Sequence, residues 1–269
     1  MSSVKTLPAL LDKMWVDYVA INPLAQKIAD LFKSEGETIQ NDHIALRTFN
    51  HPRVSIDVIA KPFLDSGYSY KGDYHFTEKK LYAKHFEHTD RSLPKIFISE
   101  LLLEKFSPEL RATVDQLVSQ LAVGKEHEFD FCSVGRPWKV SIATYNSLMK
   151  ESDYAAWVSA FGYRPNHFTV LINVLKKFSD IIFLNNYLKE KGFKLNSSGG
   201  EVKGSKDVCL EQSSTLANNI EVSFDDGKLT IPACYYEFAK RYPMNGGELY
   251  QGFVAASADK IFESTSKGQ

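Results

Sequence analysis

Apolar positions recur at helical spacing twice near the N-terminus, as Leu7, Leu10, Leu11, Met14 and Trp15 and again as Leu24, Ile28, Leu31 and Phe32. That spacing predicts two helices within residues 6–36, forming a cover over the rest of the chain. At Asp42–Phe49 the pattern changes to a short apolar segment interrupted by polar residues, which reads as a strand. The turn-forming Asn50-His51-Pro52 then leads into an amphipathic helix, Val54–Ser66, stopped by Gly67. Segments 80–89 and 95–103 read as two further strands joined by a turn at 90–94, with room for a short strand near Tyr68. Ser107-Pro108-Glu109 caps a helix over Ser107–Leu121.

After an aromatic segment (129–145) and a short helix at Asp153–Phe161, the order returns. Asn166–Val174 reads as a strand, Phe178–Lys191 as a helix ended by Gly192, and Val208–Gln212 as a strand. Ile220–Phe224 and Lys228–Arg241 form a strand pair around Asp226-Gly227, a strong hairpin signal. The clearest trace of repetition sets Asp42-His43-Ile44-Ala45-Leu46 against Asn166-His167-Phe168-Thr169-Val170. The expected fold is therefore α+β, with two degenerate β-α-β-β-β modules side by side. Their curved sheet encloses a cup, as in the vicinal-oxygen-chelate fold, with N-terminal and connecting helices added. The expected divisions are 1–36 for the cover, 37–150 for the first module with its connecting helix, and 151–269 for the second, together one compact catalytic domain.

Composition narrows the function. The 269 residues are 43% apolar and 13% aromatic, enough for a packed core. A net charge of −1, with Lys and Arg scattered among Asp and Glu, gives no electrostatic footprint for nucleic acid or an anionic membrane. The first residues lack a secretory signal pattern, and no stretch reaches the ~18–20 apolar residues of a membrane span. Cys132, Cys209 and Cys234 are odd in number and without C-x-x-C spacing, so neither a disulfide framework nor a thiolate metal site is expected. A cytoplasmic location is the expectation.

Side chains alternate faces along a strand, which groups His43 with Ala45 and Arg47, His167 with Thr169 and Leu171, and Glu237 with Tyr235 and Ala239. Two imidazoles and one carboxylate brought from three strands to one point make a facial triad. Such a triad leaves coordination positions open on Fe(II), the cofactor expected here. Glu211 is an alternative acid. His85-x-x-His88 puts two rings on opposite faces, a poor chelate, so His75, His85 and His88 are expected to face solvent, and His51 and His127 to lie on the surface. Arg47 stands ~13 Å along the strand from His43 on the same face, where its planar guanidinium suits the far carboxylate of a dicarboxylate bound at the metal.

Four motifs weighed together give a resemblance. They are Asp42-His43-Ile44-Ala45-Leu46-Arg47-Thr48-Phe49, Phe161-Gly162-Tyr163-Arg164-Pro165-Asn166-His167-Phe168-Thr169, Tyr235-Tyr236-Glu237-Phe238, and Gly252-Phe253 with Ala258-Asp259-Lys260-Ile261-Phe262-Glu263-Ser264-Thr265. The combination resembles the 2-oxoadipate dioxygenase/decarboxylase family over nearly the whole chain from about residue 40. The resemblance implies a vicinal-oxygen-chelate-like fold, Fe(II), and conversion of 2-oxoadipate and O2 into 2-hydroxyglutarate and CO2 in lysine breakdown. By the same resemblance, His43, His167 and Glu237 hold the metal and, with Arg47, form the catalytic set. Arg47 binds substrate, and a further substrate contact falls on Val254. The residues themselves leave two other readings open: a metal-dependent isomerase or lyase acting without O2, and a non-catalytic metal- or ligand-binding protein.

Overall fold

The computed structural model describes residues 4–245 and 247–254, so the Ala258–Thr265 motif and the end of the second module lie outside the described residues. Helices α1 (Leu7–Ile21) and α2 (Pro23–Ser34) precede β1 (Asn41–Phe49), α3 (Ile56–Leu64), β2 (Tyr68–Phe76), β3 (Leu81–His88) and β4 (Lys95–Leu101). Three connecting helices come next: α4 (Pro108–Ser119), α5 (Ile142–Glu151) and α6 (Asp153–Phe161). The second half runs β5 (Pro165–Leu171), α7 (Ile181–Glu190), β6 (Lys203–Ser205), β7 (Leu210–Ser214), β8 (Asn219–Phe224), β9 (Gly227–Pro232) and β10 (Glu237–Arg241).

Eight strands form one sheet in the order β2-β3-β4-β1-β5-β10-β7-β6. Each half repeats one pattern. β1 runs parallel to β4, and β3 pairs antiparallel with both β4 and β2. Likewise β5 runs parallel to β10, and β7 pairs antiparallel with both β10 and β6. The antiparallel pair β1–β5 is the seam, with His43 opposite Thr169 and Ala45 opposite His167. This is the two-module arrangement of the vicinal-oxygen-chelate fold.

Three readings of the element pattern need correction. The Asp226-Gly227 hairpin exists, but it joins β8 and β9 in a separate two-stranded sheet inserted before β10. The single strand expected over Lys228–Arg241 is therefore two, broken after Pro232, which lacks the N–H a ladder requires. The short strand near Tyr68 is a nine-residue edge strand whose polar side chains meet solvent, and α5 lies at and beyond the end of the aromatic segment where no helix was expected.

Both faces of β1 are buried, because helices cover one face and the cup the other. On the helix side, Trp15 and Tyr18 of α1 pack on Phe168 at centroid distances of 5.1 and 5.0 Å, and Tyr18 donates a hydrogen bond to the Tyr235 carbonyl. Phe32 of α2 stacks on Phe178 and meets Phe238 of β10. Between Ala45 and Leu46 the β1–β5 pairing shifts register, and it stops at the pair Leu46–Pro165, so the strands diverge. The Thr48 N–H donates instead to the Tyr154 hydroxyl of α6, which in turn donates to the Ser99 carbonyl. No described helix is long and apolar enough to cross a membrane, and all three cysteines are free thiols.

Gly162 ends α6 and leads into β5 at φ +65°, where an added Cβ would lie 2.2 Å from the Gly135 carbonyl oxygen. Gly162→Ala is expected to cost on the order of 3–5 kcal/mol, through strain and a backbone clash. Gly36 also has positive φ but open space around it, so Gly36→Ala should cost only roughly 1–2 kcal/mol. Urea denaturation of the two variants checks the contrast.

Candidate metal centre

The strand register alone brings three donors together. His43 on β1, Thr169 on β5 and Glu237 on β10 form one lateral row, and His167 lies two residues along β5 on the same face. The Thr169 hydroxyl lies 3.1 Å from His43 Nε2. His43 Nε2 and His167 Nε2 are 3.3 Å apart, and each stands 3.5 Å from one oxygen of Glu237. Bonds of ~2.0–2.2 Å meeting at 90–110° would put donors ~3.0–3.5 Å apart, so the triangle fits a first-row divalent ion. Among the described residues, this is the group of His, Cys, Asp and Glu side chains close enough to hold a metal.

The residue before each histidine sets its tautomer. Asp42 Oδ2 lies 2.8 Å from His43 Nδ1, and Asn166 Oδ1 lies 3.1 Å from His167 Nδ1. Both rings therefore carry the proton on Nδ1 and turn an Nε2 lone pair to the centre. Burial lowers the pKa of both histidines, and for His167 the neighbouring His43 and Arg47 lower it further. Burial raises Glu237 to about 8, against a hydrogen bond from Gln212 Nε2 at 2.5 Å. Asp42 is equally buried, yet Arg241 and Lys95 hold it well below the usual carboxylate range. Arg241 grips it through Nε at 2.5 Å and Nη2 at 2.8 Å.

Arg241 also ties the segment 250–253 to the site. Its Nη1 donates to the carbonyls of Tyr250 and Gly252, and the next residue, Phe253, sets its ring edge-on to His43 at 4.8 Å. The Phe253 N–H donates to the Tyr74 hydroxyl. Tyr74 bonds His85 Nδ1, and His85 Nε2 bonds Glu87. His85 is thus a buried residue, not the solvent-facing one expected. Its polarity is satisfied by Tyr74 and Glu87, and Glu87 is itself paired with Arg91. His88 is half-buried, whereas His75 and His127 are exposed as expected; His51 is half-buried at the surface, 3.7 Å from Asp115.

Glu211 does not join the donor triangle; it is half-buried and accepts a hydrogen bond from Tyr242. Arg47 is only 4% exposed, with its guanidinium carbon 5.1 and 5.0 Å from the ring centroids of Tyr154 and Trp157. The gap opened by the β1–β5 divergence is where α6 supplies these rings. Val254 is half-buried and comes after Phe253 as the last described residue. Asp42, Gln212, Arg241 and Phe253 are additions that strand alternation did not offer. For Asp42, and for Asn166 in the other module, the signal was present as an Asx residue before each histidine.

Neutral imidazoles have no proton to lose on binding a metal at pH 7, whereas Glu237, with its pKa about 8, does. Titrating Zn(II) into chelator-stripped protein should release close to one proton at pH 7 and progressively fewer as pH rises past 8. Calorimetry in buffers of differing ionisation enthalpy reads this number, and release unchanged by Glu237→Gln would exclude Glu237 as the donor.

The family model for 2-oxoadipate dioxygenase/decarboxylase matches residues 3–251. The chloroplastic 2-oxoadipate dioxygenase/decarboxylase of Arabidopsis thaliana is 34% identical over 288 residues, covering 97% of this chain and 78% of that protein. The structure of hydroxyglutarate synthase from Oryza sativa in complex with 2-oxoadipate superposes with a TM-score of 0.88 at 34% identity, covering 96% of this chain and 91% of that one. A protein from Shewanella frigidimarina NCIMB 400, provisionally described as a hydrolase, is 53% identical with a TM-score of 0.90, covering 95% and 100%. The chain belongs to the 2-oxoadipate dioxygenase/decarboxylase family.

Proposed function

We propose that this protein is an iron(II)-dependent enzyme that converts 2-oxoadipate and O2 into 2-hydroxyglutarate and CO2. The observation that carries the reading is an asymmetry in the repeat. Glu237 pairs with Thr169 as Phe97 pairs with Ala45, so Phe97 stands in the first module where the second has its acid. A symmetric pair of modules would offer four donors; here Phe97 removes one. Three donors leave room for a bidentate 2-oxo acid and, at a third position, one small molecule.

His43, His167 and Glu237 would hold the ion, and Gln212 and Asp42 fix the orientation of Glu237 and His43. When bound, iron(II) supplies the positions at which the keto oxygen and C1 carboxylate chelate and at which O2 reacts. Arg47, packed between two aromatic rings, receives the C6 carboxylate through paired hydrogen bonds and so fixes which methylene faces the donors. Phe97 and Phe253, whose centroids are 4.9 Å apart, give that side an apolar wall that excludes water. One oxygen atom enters the new carboxylate and the other the new hydroxyl, which balances the products.

Anaerobic reconstitution with Fe(II), followed by 2-oxoadipate and O2, should give CO2 and 2-hydroxyglutarate in equal amounts. Turnover under argon would establish an isomerase, lyase or hydrolase instead. Arg47→Met keeps the bulk between the rings and removes a charge-assisted pair of ~1.5–3 kcal/mol. It should abolish the preference for 2-oxoadipate over 2-oxohexanoate while leaving metal content intact, and Arg47→Lys should restore it only partly. Unchanged diacid selectivity in Arg47→Met would make Arg47 structural.

A further inference from the structure

Tyr235 is fully buried, and its ring stacks on His167 with centroids 4.7 Å apart and planes inclined by 26°. The backbone explains how it gets there. The segment between β9 and β10 is not strand, but its side chains still alternate. Tyr236 goes to the helix side against Trp15 and Phe238, which leaves Tyr235 facing the cup. Its carbonyl is pinned by the Tyr18 hydroxyl, so the ring has a fixed anchor. The phenol oxygen faces Arg47 and Glu237. The guanidinium of Arg47 can only donate to this oxygen, and the phenol's own proton finds no acceptor among the described residues. A buried O–H without an acceptor is unfavourable, so this proton calls for an acceptor from outside the described residues.

A carboxylate gripped side-on by a guanidinium uses two of its four lone-pair positions and has two to spare. A neutral phenol is a donor that can fill one of them. We infer that Tyr235 is a substrate-contacting specificity residue, donating its hydroxyl hydrogen bond to the distal carboxylate of the acid that Arg47 binds. This rests on the proposed substrate class.

The test measures binding, without O2, of 2-oxoadipate and 2-oxohexanoate to the Fe(II)-loaded protein and to Tyr235→Phe, which removes one oxygen atom and keeps the stacked ring. Loss of a hydrogen bond to a charged group should weaken 2-oxoadipate by about tenfold or more and leave 2-oxohexanoate within about twofold. Retained 2-oxohexanoate affinity also shows that the variant's site is intact. Unaltered 2-oxoadipate binding by Tyr235→Phe overturns the inference while leaving the substrate reading in place. Equal weakening of both acids also overturns it, by moving the hydroxyl to the shared keto-acid end. If the wild-type protein binds neither acid, the substrate reading itself fails, and the inference with it.

Discussion

Two carboxylates are buried within one side-chain length of each other here, and a buried charge must be matched. Asp42 is fully matched from within the chain, by the bidentate Arg241 and more distantly by Lys95. Glu237 is 1% exposed, and the charged or chargeable groups within 4 Å of it among the described residues are two imidazoles held neutral by burial. The hydrogen bond from the neutral amide of Gln212 does not offset that burial, so Glu237 keeps its proton up to a pKa of about 8. Ionising Glu237 therefore carries a penalty that a divalent cation would remove, since an ion-sized positive charge beside two lone pairs and a carboxylate is what the surroundings lack. Arg241 matters for the same reason: by saturating Asp42, it keeps that acid from competing as a fourth donor and makes it the orienter of His43.

Duplication supplies the frame, and divergence supplies the chemistry. The seam between β1 and β5 places two histidines symmetrically, each after an Asx residue. Elsewhere the halves part ways. The position matching Glu237 is Phe97, and the position matching Arg47, four residues after its histidine, is Leu171. On the proposed reading, one module gives the acid for the ion and the other the arginine for the anion. The cup is therefore polar in direction, with an ordered path from metal donors to guanidinium.

Much of this was legible in the chain because strand alternation and the repeat are short-range signals. His43, His167 and Arg47 declare their common face within nine-residue windows. Glu237 was legible for a less secure reason. It begins β10 and does not lie within a long strand, and its facing survived because Tyr235 and Tyr236 continue to alternate through irregular backbone. What the pattern could not show was long-range satisfaction of polar groups. His85 reads as solvent-facing in a polar stretch, yet Tyr74 and Glu87 pair it inside. The segment 250–253 is the extreme case, since strand alternation near Phe253 does not announce that Arg241 will fold it against His43.

The distance between the two ends of the cup is set by backbone, which gives the site its rigidity. His43 and Arg47 stand on one strand, ~13 Å apart at their Cα atoms, and a strand flanked on both sides by paired neighbours does not stretch. The guanidinium has little freedom to compensate, because the rings of Tyr154 and Trp157 confine it and α6 is itself tied to β1 and β4 through the Tyr154 hydroxyl. A 2-oxo diacid one methylene shorter would have to give up either the chelating end or the guanidinium. One that is longer would have to buckle against Phe97 and Phe253. Chain-length selectivity on the proposed reading is thus a property of strand pitch and aromatic confinement together, so a loosened α6 would blur it without any change in the metal donors.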